Sequence, residues 1–187
     1  MKILILILCS IGPICFGQND LVIPLQTRQN DIETGSYLKD TNKEFDRYLG
    51  TYEAIWENNK ITLVIRKVEH DLRLYPDGTY YYEDYLSANY IIENLNNNVI
   101  LEDNFNNSNV SFRSYYHPIN FEQCFLYQYG NNCTYDAKIC FFKKSTAGDI
   151  SWVFSLEENI YFEDDCYHEI SKNVHIPKVS LVLKQIK

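Results

Sequence analysis

From Gly50 onward, apolar side chains recur at every second position and turn-forming residues interrupt them at short intervals. Successive side chains of an extended strand point to opposite faces. A sustained period of two therefore predicts antiparallel β structure with one face buried. Tyr52, Ala54 and Trp56 share one face of a first strand. After a turn at Glu57-Asn58-Asn59-Lys60, Ile61, Leu63 and Ile65 alternate with Thr62, Val64 and Arg66. A third strand is expected over 72–75. Pro76-Asp77-Gly78 then closes a hairpin, because proline presets the first corner of a turn and glycine accepts the positive φ that completes it. The chain returns over 79–86. Further strands are expected at 89–95, 99–102, 110–116, 124–129, 138–143, 150–156 and 174–183, with asparagine-rich loops between them.

The alternation leaves little room for helix. Thr41-Asn42-Lys43-Glu44 fits a capping box and sets Phe45, Tyr48 and Leu49 on one helical face, which predicts a short N-terminal helix ended by Gly50. Residues 18–39 show neither period and are expected to form an irregular arm. Residues 40–187 are expected to form a single β domain. About ten strands after a short helix suit an all-β, antiparallel meander barrel, which removes exposed edges; a two-sheet β-sandwich is the alternative.

The first residues carry a different signal. Met1-Lys2 gives a positive start, an apolar run extends from Ile3 to Ile11, and Cys15 and Gly17 are small residues where a signal peptidase reads. Residues 1–17 are read as a signal peptide, which predicts an exported, periplasmic or extracellular protein. No segment approaches the roughly 20 apolar residues of a membrane span, so no transmembrane segment is expected. Lipid attachment at Cys9 or Cys15 is the rival, but Leu8 and Ile14 precede them where a small residue is wanted. Cleavage leaves Cys124, Cys133, Cys140 and Cys166. An even number in an oxidising compartment predicts two disulfides. Three pairings are open, and Cys124 with Cys133 and Cys140 with Cys166 is preferred. Their spacing does not match structural zinc.

The formal charge is −8 with no basic block, which argues against nucleic acid as a partner. There is no G-x-S-x-G elbow, H-E-x-x-H helix or phosphate-cradling glycine loop. The densest polar cluster, Glu163-Asp164-Asp165-Cys166-Tyr167-His168-Glu169, lacks the spacing and glycine of a hard-cation loop and is read as a solvated acidic loop. His70, His117, His168 and His175 are too dispersed to pair on sequence alone. No catalytic residue, metal or cofactor is assigned, and a non-catalytic role is favoured.

Tyrosine is the excess that a site could use, at sixteen residues. Tyr75, Tyr80, Tyr81, Tyr82, Tyr85 and Tyr90 fall close together, and alternation sends Tyr80 and Tyr82 to one face and Tyr81 and Tyr85 to the other. Tyrosine joins flat apolar area to a polar tip, as binding sites require. Cross-strand packing is the plainer role for such residues.

Two resemblances complete the reading. Tyr48-Leu49-Gly50-Thr51-Tyr52-Glu53, the 61–68 strand and Tyr82-Glu83-Asp84-Tyr85-Leu86 with Tyr90 resemble an uncharacterised family of small secreted proteins from Flavobacterium-type Bacteroidetes, a domain of unknown function. Its second motif runs approximately Tyr-x-Asp-x-Leu-x-Gly-x-Tyr; Tyr82, Asp84, Leu86 and Tyr90 fit, and Ala88 stands where glycine is expected. That family implies export and one domain, and brings no activity. Gly50-x-Tyr52 after the helix signal is similar to the Gly-x-Trp opening of lipocalins, which implies a lipocalin-like barrel. Together these point to a secreted binding module for a small apolar or amphiphilic ligand held in a barrel interior. The alternative is an envelope protein that engages another protein through an exposed tyrosine face.

Overall fold

A computed structural model describes residues 20–106, 110–116, 123–129, 135–143, 148–156 and 175–186. Among them the strands are β1 (Val22–Pro24), β2 (Tyr37–Lys39), β3 (Gly50–Trp56), β4 (Asn59–Leu74), β5 (Tyr80–Asn94), β6 (Val99–Asp103), β7 (Val110–Tyr116), β8 (Gln123–Tyr129), β9 (Tyr135–Lys143), β10 (Ile150–Leu156) and β11 (Leu181–Ile186). The signal segment, Cys133, Cys166, the 163–169 acidic cluster, His117 and His168 lie outside the described residues.

The sheet is a curled, barrel-like meander. β3, β4 and β5 pair in sequence, as do β7 through β11, and β11 returns antiparallel to β3 through Gln185 opposite Tyr52. β5 meets β7 at Ser87 opposite Arg113. Beside that pairing, β6 occupies the far end of the same β5 edge. Asn104 fills the gap between β6 and β7. Its side-chain Oδ1 accepts the Tyr90 N–H, its Nδ2 donates to the Ala88 carbonyl at 3.2 Å, and its own N–H donates to the Tyr90 carbonyl at 3.2 Å. One buried amide thus satisfies backbone groups that a missing strand would otherwise take. Ala88 lies in mid-strand and is buried, with no positive φ.

The inward parity is apolar, as alternation predicts. Tyr52 and Ala54, then Ile61, Leu63 and Ile65, then Leu86, Ala88, Tyr90 and Ile92 form one buried cluster with residues from β7 to β11. Its centre is aromatic. Phe112, Phe125, Phe141 and Trp152 make ring contacts with centroid separations of 4.9–6.2 Å. This quartet stands where a ligand was expected.

Three local expectations are revised. The strands expected separately at 61–66 and 72–75 are one strand, β4, and those at 79–86 and 89–95 are one strand, β5. The reason is a bulge: Val68 opposes Tyr85 and Asp71 opposes Glu83, so Glu69 and His70 together face Asp84. The extra residue reverses the parity of β4, which reads in sequence as an interruption. In place of the short N-terminal helix there is a 3₁₀ turn at Asp46–Tyr48. Lys43 has φ +56°, and the capping acceptor is Asp40, whose oxygens take the Glu44 and Phe45 N–H groups at 2.7 and 3.2 Å. The arm carries β1 and β2, and β2 adds to β5 in parallel.

The hairpin turn follows its sequence signal. Gly78 N–H donates to the Tyr75 carbonyl at 3.0 Å, Tyr75 N–H donates to the Thr79 carbonyl at 2.9 Å, and Asp77 Oδ1 accepts from the Thr79 N–H and hydroxyl. Gly78 has φ +86° with nothing within 4 Å of an added Cβ. Gly78→Ala is therefore expected to act through backbone conformation alone, destabilising by about 1 kcal/mol. Chemical denaturation checks this, and an unchanged midpoint would contradict it.

Candidate functional site

The β4–β5 hairpin runs past the barrel-like core and presents two faces. On the inward side, the parity that buries Leu86 and Tyr90 also buries an acid, Asp84. Its Oδ1 accepts the Tyr37 hydroxyl and, at 3.1 Å, the His70 N–H; its Oδ2 accepts the Asp40 N–H at 3.0 Å and lies 3.4 Å from Lys67 Nζ. Lys67 Nζ also lies 3.4 Å from Asp40 Oδ2 and 3.2 Å from Glu69 Oε1. Burial pushes the Asp84 carboxyl up. The Tyr37 hydroxyl, the Asp40 and His70 N–H groups and the Lys67 charge outweigh it, and Asp84 sits below the usual carboxylate range. Burial likewise opposes the Lys67 charge, and its three carboxylate neighbours raise it above the ordinary lysine value.

His70 occupies the bulge with φ +55°, a conformation unfavourable for a side chain with a Cβ. Several contacts hold it there. Its ring stacks on Tyr82 at 4.1 Å, meets Tyr37 edge-on at 4.5 Å, and places Nε2 2.6 Å from Asp20 Oδ2. Every one of these partners except Tyr82 comes from the arm. The cluster is a mooring: it fastens residues 20–40 to the bulge, and its carboxylates and lysine hold one another.

The outer face of the hairpin is where a cavity opens. Arg113, Asp71, Glu83 and Arg73 form a charged ladder, with Arg113 Nη1 2.8 Å from Asp71, Arg113 Nη2 on Glu83 and Arg73 Nε 2.7 Å from Glu83. The Arg113 guanidinium lies 3.4 Å above the Tyr85 ring, a cation–π contact that occupies that tyrosine. Beyond the ladder, arm residues 25–32 pass over β2, β4 and β5 and leave a cleft of about 400 Å³ between Leu25, Gln29, Ile32 and Leu38 on one side and Arg73, Tyr75 and Tyr81 on the other. A second cavity of about 200 Å³ adjoins it and shares Gln29, Ile32, Tyr75 and Tyr81, with Tyr80, Thr34 and Asp77 on its far side. Tyr75 and Tyr81 stand between the two, their rings 5.8 Å apart and their hydroxyls 3.0 Å apart. Burial and the Tyr75 hydrogen bond push the Tyr81 phenol well above its ordinary value, so it stays neutral.

Of the six tyrosines singled out in the sequence, the structure brings Tyr75, Tyr80 and Tyr81 together around these cavities. Tyr82 is stacked on His70, Tyr85 lies under Arg113, and Tyr90 is buried in the core with its hydroxyl bonded to Glu102. The expected parity of Tyr80 and Tyr82 against Tyr81 and Tyr85 is kept: Tyr80 and Tyr82 meet edge-on at 6.2 Å, while Tyr81 packs on Tyr75 and Tyr85 lies under Arg113. Asp84 was missed as a site-building residue, although an acid on an apolar parity was the available signal. Gln29, Arg28 and Leu25 gave no signal, because the arm reaches the hairpin only through tertiary pairing. Among the described residues there is no group of three or more potential metal ligands, and no helix long and apolar enough to cross a membrane.

No curated protein and no solved structure matches the chain. The sequence profile of one family does match, over residues 1–143. That span takes in the arm, the Asp84 mooring and both cavities. The chain belongs to this family of unknown function, DUF6705.

Proposed function

We propose that the protein is an exported, non-catalytic binding module that takes a small amphiphilic ligand in the cleft between the arm and the Tyr75–Tyr81 pair. The observation that carries this is the cleft of about 400 Å³ lined by the apolar side chains of Leu25, Ile32 and Leu38 together with the hydroxyl, amide and guanidinium groups of Tyr75, Tyr81, Gln29 and Arg73. The site lies outside the barrel-like core, because the core is packed with aromatic rings. The curled sheet is read as a lipocalin-like meander closed at Ser87 and Arg113, and its role here is to hold the hairpin rigid. Native mass spectrometry of protein purified from its own host is expected to find a retained molecule. Tyr75→Ala with Tyr81→Ala is expected to lose it while keeping the β spectrum. Retention by that variant would contradict the assignment.

A second reading rests on a specific feature of the opposite face. Leu72 opposite Tyr82 and Leu74 opposite Tyr80 continue the inward parity beyond the core, and Val22 lines up through Tyr37; Leu72, Leu74 and Val22 are each more than half exposed. This face suits docking of an envelope protein. Charged substitution of Leu72 and Leu74 separates the readings: it would abolish partner capture and leave cleft binding unchanged.

Export agrees with the cysteine placement. Cys124 and Cys140 are direct partners across β8 and β9, and directly opposed antiparallel residues have Cα atoms about 4.5–5.5 Å apart, inside the range of about 4.4–6.8 Å that a disulfide spans. The register favours Cys124–Cys140, leaving Cys133 with Cys166, over the pairing preferred from sequence. Such a bond would contribute on the order of 3 kcal/mol by restricting the unfolded chain. Peptide mapping without reduction is expected to recover a Cys124–Cys140 link; a Cys124–Cys133 link would contradict it.

A further inference from the structure

We infer that the ligand of the cleft is a neutral oligosaccharide of at least two rings, lying across the Tyr75–Tyr81 pair with one ring in each cavity. This rests on the cleft being the binding site. Three observations carry it further.

The first is shape. Two adjoining cavities share one tyrosine pair as a partition. That arrangement suits a chain of linked rings better than one compact molecule. An extended aliphatic tail fits less well, because the purely aliphatic wall residues, Leu25, Ile32 and Leu38, are gathered in the larger cavity and only Ile32 reaches the smaller.

The second is chemistry. A sugar ring has an apolar face of C–H groups and a rim of hydroxyls that each donate and accept. Tyr75 and Tyr81 offer ring surface with hydroxyl tips, and Gln29, which donates to the Tyr75 hydroxyl at 3.5 Å, supplies an amide with both donor and acceptor atoms. Arg73 and Glu83 hold each other at 2.7 Å, so a planar donor and a planar acceptor are fixed side by side on the same wall. Such groups match paired hydroxyls and cost little entropy to position.

The third is charge. Arg28 and Arg73 face Glu83, Glu33 and Asp77 around the two cavities, two cations against three anions. There is no surplus positive charge for a carboxylate, sulfate or phosphate headgroup, and the whole chain is acidic. A neutral ligand meets no penalty there.

The test is calorimetric titration of the full mature chain with cello-, chito-, malto- and manno-tetraose, and separately with laurate. One or more tetrasaccharides should bind and laurate should not. Tyr75→Phe removes one hydroxyl and keeps the ring, and should weaken binding about tenfold, equivalent to about 1.4 kcal/mol. Gln29→Ala, on the exposed arm, should do the same if Tyr81→Ala proves unstable. Binding of laurate alone, lost in Tyr81→Ala, would overturn the saccharide assignment and leave the cleft as the site. Saccharide binding unaffected by either Tyr75→Phe or Gln29→Ala would place it elsewhere and overturn both, as would no binding of any probe.

Discussion

Asp84→Ala is expected to destabilise the protein by about 3–5 kcal/mol, the range found when one partner of a buried charge pair is removed. The carboxylate has four partners: the Tyr37 hydroxyl, the Asp40 and His70 N–H groups, and Lys67. Truncation takes this acceptor from the Tyr37 hydroxyl and the two N–H groups and leaves Lys67 with only Asp40 and Glu69, and a buried donor so stranded loses its full hydration. A domain at the low end of ordinary stability, about 5 kcal/mol, would be left marginal. The loss should be unequal across the molecule. Hydrogen exchange should accelerate first in β1, β2 and the 3₁₀ turn, because these are joined to β5 through Asp84 and Asp40. A uniform change in exchange, or a loss below 1 kcal/mol, would contradict the mooring.

The same residue sets an acid limit. The folded carboxyl is held below its unfolded value of about 3.9. Its stabilising contribution is therefore complete above about pH 4 and is lost as pH falls through the folded value. The wild type should lose stability below about pH 4, and Asp84→Asn should lose less over that window, having already forfeited the term at neutral pH.

Trp152→Ala is expected to cost about 3–5 kcal/mol as well, for a different reason. Trp152 is fully buried, contacts Phe112 at 6.0 Å and Phe141 at 5.5 Å between centroids, and donates its indole N–H to the Pro177 carbonyl at 3.0 Å. The substitution opens a cavity in the aromatic centre and strands that carbonyl. Trp152→Phe should recover much of the packing and none of the hydrogen bond. Urea denaturation of both variants checks this; if Trp152→Ala cost under 1 kcal/mol, the core would not be packed as described. Ligand binding in the cleft should survive Trp152→Phe, because no part of the cleft wall comes from β10.

The sheet was legible where its signals are local. Ile61, Leu63 and Ile65 declare their face by alternation, and Pro76-Asp77-Gly78 declares the turn by backbone preference. The tyrosine parities followed from the same rule. What the sequence concealed depends on tertiary partners. The polar run from Lys67 to Asp71 looks like the end of one strand and the start of another, whereas Lys67 keeps the inward parity of Ile61, Leu63 and Ile65 to reach Asp84, and the bulge at Glu69 and His70 carries the strand through with its parity reversed. Thr41 and Glu44 have the spacing of a helix start, yet Asp40 takes the N–H groups and Lys43 leaves helical geometry. The cleft was least legible. One wall is the arm, placed by parallel pairing of Tyr37 and Leu38 with Tyr82 and Glu83 across more than forty residues of chain, and no local period records such a contact. The tyrosine cluster is divided by its partners, which are tertiary too: Tyr82 stacks on His70, Tyr85 lies under Arg113 and Tyr90 is buried in the core.

The claim that binding occurs under the arm and outside the core is tested most directly by tyrosine-selective NMR. Protein carrying labelled tyrosine rings would be titrated with the molecule retained on native purification. Tyr75 and Tyr81 are expected to shift first and furthest, Tyr80 less, while Tyr52 and Tyr90 and the Trp152 indole stay in place. Shifts at Tyr90 and Trp152 with Tyr75 and Tyr81 unmoved would put the ligand inside the barrel-like core and contradict the account.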